Sequence, residues 1–392
     1  MRKIYKFSLF TLLLITLTNV VSAQNRFFQD AGKNKSIQTT KERVIIPKEF
    51  RTSTMDVQAM KSFLWTLPSE SSVLYNRGNA PVISIPMPDG SMAKFHVWES
   101  NIMEPALAAK FPDMKQFLGQ GIDDPYATIR FDYNPYTGFH AQILSSSTGR
   151  IFIDPFANGD LNNYISYFAR NAVSSSQFVC NVDENLALDN PSPTVNRTAA
   201  ACLGTNLRTY RLALACTGEY AVAVNGATPT TGGVAAAMLT AVNRVTGVYE
   251  NEVSVRLQLV ANNDLLIYLD GATDPYTNNS GGTMLGQNQT NCDAVIGSAN
   301  YDIGHVFSTG GGGVAGLGVI CNNGNKARGV TGLGNPVGDA FYIDYVAHEM
   351  GHQFGGNHTF NSVTSSCSGG NRNNSTAYEV GSGTTIQAYA GI

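Results

Sequence analysis

From Val253 to Leu259 the chain alternates without a break, with Val253, Val255, Leu257 and Leu259 apolar and Ser254, Arg256 and Gln258 polar between them. Successive strand side chains point to opposite faces, so this run predicts a half-buried strand. Just before it, Ala235, Met238, Leu239, Val242 and Val245 recur at helical spacing, which predicts a helix over Gly232 to Tyr249. Continuing this way gives a strand over Leu207 to Ala215 and a helix over Thr283 to Asn300. Further strands are expected at Ile303 to Phe307 and Val314 to Val319, then a last helix from about Phe341 to Phe354. Strands separated by helices imply an α/β sandwich with a mostly parallel twisted sheet.

The first half reads differently. Val82 to Ile85, Ala93 to Trp98, Ala127 to Phe131 and Phe139 to Leu144 are short β-favouring runs bounded by Gly, Pro and Asp. A helix interrupted near Pro112 is expected within Glu104 to Leu118. This is a β-rich α+β domain. His96 and His140 fall within its strand patterns and Trp65 and Trp98 within its apolar runs, so all four read as structural residues. Asp189-Asn190-Pro191-Ser192-Pro193-Thr194 cannot continue a helix or a central strand, and Arg197 precedes a run of small residues. That stretch is a linker and a candidate maturation site.

Arg2, Lys3 and Lys6 precede an apolar stretch from Leu9 to Val21 and the small residues Val21-Ser22-Ala23, the pattern of a secretory signal. The expected organisation is a signal peptide at 1–23, a first domain at 24–182, a linker at 183–204 and a second domain at 205–392. Export implies an extracellular product, with no membrane span once the signal is removed. Only 14% of residues are charged, against roughly 25% in an average protein. Lys and Arg number 7 against 12 Asp and Glu from Thr205 onward, and 19 against 17 before it. Neither half has the basic footprint of a nucleic-acid binder. Gly310 to Gly313 lacks the Gly-Lys-Ser/Thr ending of a phosphate loop. The six cysteines (180, 202, 216, 292, 321 and 367) contain no C-x-x-C pair, and an exported protein can form disulfides.

Candidate chemistry concentrates in His348-Glu349-Met350-Gly351-His352-Gln353-Phe354-Gly355-Gly356-Asn357-His358. On a helix His348 and His352 are one turn apart and project from one face, half of a tetrahedral zinc site. Glu349 is displaced by roughly 100° around the helix, beside the metal without ligating it. That is where a base must stand to take a proton from zinc-bound water. Gly355 can end the helix in a left-handed conformation and turn the backbone to bring in His358. Three nitrogens and an open fourth position describe a catalytic zinc. An arrangement with Glu379 in place of His358 is the competing ligand set.

This stretch is the long zinc motif H-E-x-x-H-x-x-G-x-x-H, and the chain after Gly204 resembles the reprolysin-like (adamalysin-related) branch of the metzincin endopeptidases, especially secreted bacterial members. Tyr301 to Thr309, the glycine run and Val314 to Val319 are similar to that family's strands leading to the cleft. The resemblance implies a secreted zinc endopeptidase with one catalytic Zn²⁺, hydrolysing internal bonds of protein or peptide substrates and made as a latent proenzyme. It implies that main-chain groups of Ala315, Gly316, Leu317, Gly318 and Val319 hold the peptide by β-augmentation. It also implies that Cys180 resembles the propeptide cysteine whose thiolate fills the open zinc position, so that the propeptide is an intramolecular inhibitor. A disulfide from Cys180, to Cys202 for instance, is the competing reading. Metzincins place a methionine beneath the ligands, and here Gln387 stands in its place, with Tyr389 two residues on. The family's final helix lies beyond Ile392, so the domain is expected to be C-terminally incomplete. The departure at Gln387 leaves open an inactive zinc-containing binding or adhesion module.

Overall fold

Fifteen strands in two sheets organise the computed structural model, which describes residues 27–74, 76–173, 180–183 and 206–389. The signal at 1–23, Cys202 and nearly all of the linker lie outside the described residues. The first sheet contains β1 (Phe28–Lys33), β2 (Arg51–Met55), β3 (Val82–Pro86), β4 (Met92–Glu99), β5 (Lys115–Gly121), β6 (Thr128–Asn134), β7 (Gly138–Ser145), β8 (Gly149–Pro155) and β9 (Asn163–Phe168). Its order is β1-β2-β9-β8-β7-β6-β5-β4-β3, antiparallel throughout. Alternation sets its two faces. Ile129, Phe131 and Tyr133 of β6 and Phe139, Ala141 and Ile143 of β7 point into one apolar core, which helix α1 (Val57–Leu64) helps close through Met60 and Leu64. Their polar neighbours Arg130, Asp132 and Gln142 face the opposite way and are buried too, because the second domain covers them.

The second sheet is built from β10 (Cys180–Asp183), β11 (Arg208–Cys216), β12 (Val255–Leu259), β13 (Ile303–Ser308), β14 (Gly313–Gly316) and β15 (Gly329–Gly332), in the order β10-β14-β15-β13-β11-β12. β11 lies parallel to β12 and to β13, and β13 parallel to β15, whereas β14 runs antiparallel to β15. Cys180–Asp183, with 180–182 expected in the first domain and Asp183 in the linker, is therefore a strand of the second sheet.

Several expected elements shift. Within Glu104 to Leu118 only α2 (Pro105–Lys110) is helical, because Phe111, Pro112 and Asp113 break the turn and the alternating run from Lys115 joins the sheet as β5. The helix expected from Thr283 to Asn300 is α5 (Gly281–Val295), closed by Gly297 at φ +86°. The edge strand expected over Val314 to Val319 covers Gly313–Gly316 alone, since Gly318 at φ +66° turns the backbone away. Helix α3 (Gly218–Asn225) leads into α4 (Thr231–Val253), the longest helix, capped by the Thr230 hydroxyl on the Gly233 amide. The stripe read from sequence packs onto β11 and β12, and the opposite side of α4 lies against the first sheet.

Candidate metal centre

The segment expected as one regular helix enters the site through a π-helical turn, Tyr342–Ala347, followed by α6 (His348–Gln353). A π-turn displaces a backbone carbonyl from the regular ladder. The Tyr249 hydroxyl from α4 donates to the Ala347 carbonyl at 2.6 Å. After α6, Gly355 takes φ +96°, a conformation that costs glycine little, and the backbone doubles back to carry His358 under the helix.

His348, His352 and His358 are all buried and their rings converge. Nε2 of His348 lies 2.9 Å from that of His352 and 3.3 Å from that of His358. The Cys180 sulfur is 3.5 Å from Nε2 of both His352 and His358, and the four candidate ligand atoms all lie within 4.8 Å of one another. A tetrahedral Zn²⁺ with nitrogens at about 2.0–2.1 Å and sulfur at about 2.3 Å needs N···N edges of roughly 3.3 Å and N···S edges of roughly 3.5 Å. The cluster fits that ion.

The outer ring nitrogens support the same conclusion. Nδ1 of His348 is 2.9 Å from the Ile386 carbonyl, that of His352 2.6 Å from Gly356 and that of His358 2.6 Å from Asn371. A carbonyl only accepts, so each Nδ1 carries the proton and each Nε2 presents a lone pair inward. Three inward lone pairs repel one another unless a cation lies between them. Burial lowers the basicity of His348 to about 3 and that of His352 well below its ordinary value, with the neighbouring imidazoles adding to the effect. Both therefore stay neutral, the form a metal requires.

Glu349 is fully buried, and neither carboxylate oxygen has a hydrogen-bond partner of regular geometry. Burial pushes its pKa well above the usual range, against a lowering by the Cys180 thiol beside it. Burial likewise raises the Cys180 thiol, and the Glu349 charge raises it further. Gly313 of β14 passes directly over Glu349, and its amide donates to the Tyr345 hydroxyl at 2.8 Å.

Of the remaining sequence candidates, Glu379 is not in the cluster. Its carboxylate accepts from the Thr359 and Thr385 hydroxyls and the Thr384 amide, and these bonds bring its pKa to about 2 although burial opposes the shift. Gln387 does lie beneath the histidine cluster, against Gly351 and Gly356. Its amide donates at 2.9 Å to the Gly356 carbonyl, which also takes the proton of His352. The Tyr389 hydroxyl is 3.0 Å from Nε2 of His358. Ala315 and Gly316 belong to β14, but Leu317, Gly318 and Val319 lie past its end. The described cysteines (180, 216, 292, 321 and 367) form no disulfide with one another. His96 binds the Ala80 carbonyl, Trp98 is core, and Trp65 packs edge-on against Tyr133. His140 pairs with Asp154 at 2.8 Å, a carboxylate partner that sequence spacing did not reveal.

Residues 235–359 match the model of the metallo-peptidase family M12B, reprolysin-like. The matched stretch contains His348, Glu349, His352 and His358. This is a zinc metalloendopeptidase. No curated protein matches its sequence.

His305 is a supporting residue of the peptidase that sequence reading passed over. Fully buried on β13, it donates from Nδ1 to the Gln353 side chain and accepts at Nε2 from the Thr331 hydroxyl, both at 2.8 Å. The Gln353 amide in turn donates to the Gly304 carbonyl, so one neutral imidazole ties the zinc-motif helix to two strands. Burial lowers its pKa to about 4. A base with a depressed folded pKa contributes stability that is complete above about pH 6.5 and is lost as the pH falls from there toward 4, about 3 kcal/mol in all. Between pH 7 and 4.5 the unmodified protein should thus lose about 2 kcal/mol more unfolding free energy than His305→Gln. Parallel urea curves for the two proteins would remove this role from His305.

Proposed function

We propose that this protein is a secreted, latent zinc endopeptidase that hydrolyses internal peptide bonds of proteins. In this reading 1–23 directs export, 24–182 is the propeptide, 183–204 carries the maturation cut and 205–392 is the catalytic domain. The observation that carries it is the convergence of three Nε2 lone pairs and the Cys180 sulfur, with the buried Glu349 carboxylate beside them.

His348, His352 and His358 would hold the ion, kept in one tautomer by the carbonyls of Ile386, Gly356 and Asn371. Bound Zn²⁺ supplies a Lewis acid that acidifies water and polarises the substrate carbonyl. Glu349 accepts the proton released as water attacks and passes it to the leaving amine. Once Cys180–Asp183 leaves, the main-chain groups of Ala315 and Gly316 that it pairs with would align an extended peptide as an added strand.

Latency follows from what occupies that edge. Cys180–Asp183 pairs in parallel with Gly313–Gly316, Cys180 opposite Gly313, so one short segment fills both the substrate strand and the fourth metal position. A thiol held by zinc is deprotonated and displaces water. The uncleaved Cys180→Ala protein should hydrolyse a quenched fluorescent peptide at least about tenfold faster than the uncleaved parent, because the strand loses its metal anchor while the tether is unchanged. Chelation should abolish that activity, and zinc should restore it. Equal silence in both uncleaved proteins would assign the latency to steric cover and not to the thiol. Activity undiminished by chelation would refute the zinc reading.

A further inference from the structure

Among the described residues, two of the attachments between the first domain and the second differ greatly in size. One is the four-residue strand Cys180–Asp183. The other is the whole outer side of α4. Arg244, 1% exposed, extends from mid-helix to Asp154 of β8 at 2.5 Å, where the Tyr167 hydroxyl also donates at 2.8 Å. Farther along the helix, Arg130 of β6 makes a two-pronged contact with Glu250 at 2.6 and 3.0 Å and donates to Asn243 at 3.0 Å. Asp132 takes the Thr240 hydroxyl at 2.8 Å. Helix and sheet close on Gly247, where a Cβ would sit 3.2 Å from the Arg130 side chain.

Apolar packing and backbone pairing accompany these charges. Ile102, Met103, Leu107 and Met114 of the first domain belong to the same buried cluster as β11, β12 and α4. The Leu259 amide donates to the Ile102 carbonyl and the Glu104 amide to the Leu259 carbonyl, both at 2.8 Å, so first-domain backbone extends the edge of the second sheet. The two domains share one core on this side, as subunits of a permanent complex do.

We infer that cutting the linker does not release the first domain: residues 27–173 remain on α4 as a non-covalent subunit of the working peptidase, and Cys180–Asp183, still joined to them but no longer held from the linker side, swings off β14 to admit substrate. The reading of Cys180 as the inhibitory group enters only in naming the strand that must leave; the attachment at α4 is independent of it. Activation is then withdrawal of one strand, and the first sheet is a lasting part of the enzyme.

The test uses the full-length protein with a site for a specific protease introduced between residues 184 and 205. After cutting, size-exclusion chromatography and native mass spectrometry should find a one-to-one complex of the two fragments at both 0.1 and 1 M salt, since buried pairs are screened far less than exposed ones. The same complex should form with Cys180→Ala, which excludes retention through a metal–sulfur bond. Separation of the fragments in either salt, with peptidase activity in the fragment that carries His348, would overturn the inference and leave the proposed function standing. A persistent complex without chelator-sensitive activity would overturn the claim that the docked domain belongs to the working enzyme, and the same silence in the cut Cys180→Ala protein would count against the proposed function as well.

Discussion

Glu349→Gln should lower kcat by about 10²–10⁴-fold while bound zinc stays at the parent level. The carboxylate is outside the cluster of candidate ligands, so its removal takes nothing from the metal. Its oxygens are buried, lack hydrogen-bond partners of regular geometry, and meet the Cys180 thiol. An amide of the same shape cannot accept a proton. It also introduces no buried charge, so the fold should be at least as stable as before. Assay of the linker-cut protein with a quenched peptide, beside metal analysis of the same sample, separates the two effects. A variant that turns over at the parent rate would remove Glu349 from the chemistry; one that loses its zinc would make it a structural support for the ligands.

The second large effect is expected at a residue without a side chain. A Cβ on Gly313 would lie 1.9 Å from a Glu349 carboxylate oxygen and 2.5 Å from the Tyr345 ring. Something must move, and Glu349 is the softer neighbour. A displacement of about 1 Å at a reacting group costs on the order of 100-fold in rate. Gly313→Ala should therefore lower kcat by about two orders of magnitude, with zinc retained and stability reduced by about 1–3 kcal/mol from overpacking. Steady-state kinetics and thermal unfolding of the cut protein would check this. Unchanged kcat would mean that β14 can move away from Glu349 without consequence.

These residues show what the sequence could and could not reveal. The three histidines and Glu349 are legible because their geometry is local: one helical turn, then a glycine-made reversal. Gly313 lies 36 positions from Glu349, and no spacing rule joins them. The strands β3, β4, β6, β7, β11, β12 and β13 were readable from alternation and apolar runs. β15 was not, since Gly329–Gly332 is four residues long and half glycine. The polar positions of β6 to β8 invite a solvent-facing reading. Arg130, Asp132 and Asp154 are instead buried against α4, where Thr240, Asn243 and Arg244 lie opposite the apolar stripe that helical spacing reveals. Alternation reports that a strand has two unlike faces; it does not report whether the polar one is wet. Gln387 was legible as a departure, but its bond to Gly356 depends on a turn that only the fold makes.

All three carbonyls that lock the histidine rings come from residues that follow the zinc-motif helix: Gly356 in the turn, Asn371 in the next loop and Ile386 near the end of the described residues. Metal affinity is therefore not a property of the eleven-residue motif alone. Thermodynamic reciprocity makes the ion and this tail of roughly thirty residues each other's ligands: ordering the tail tightens the metal, and binding the metal orders the tail. A short peptide carrying the motif would possess every coordinating atom and lack the part of the molecule that aims them.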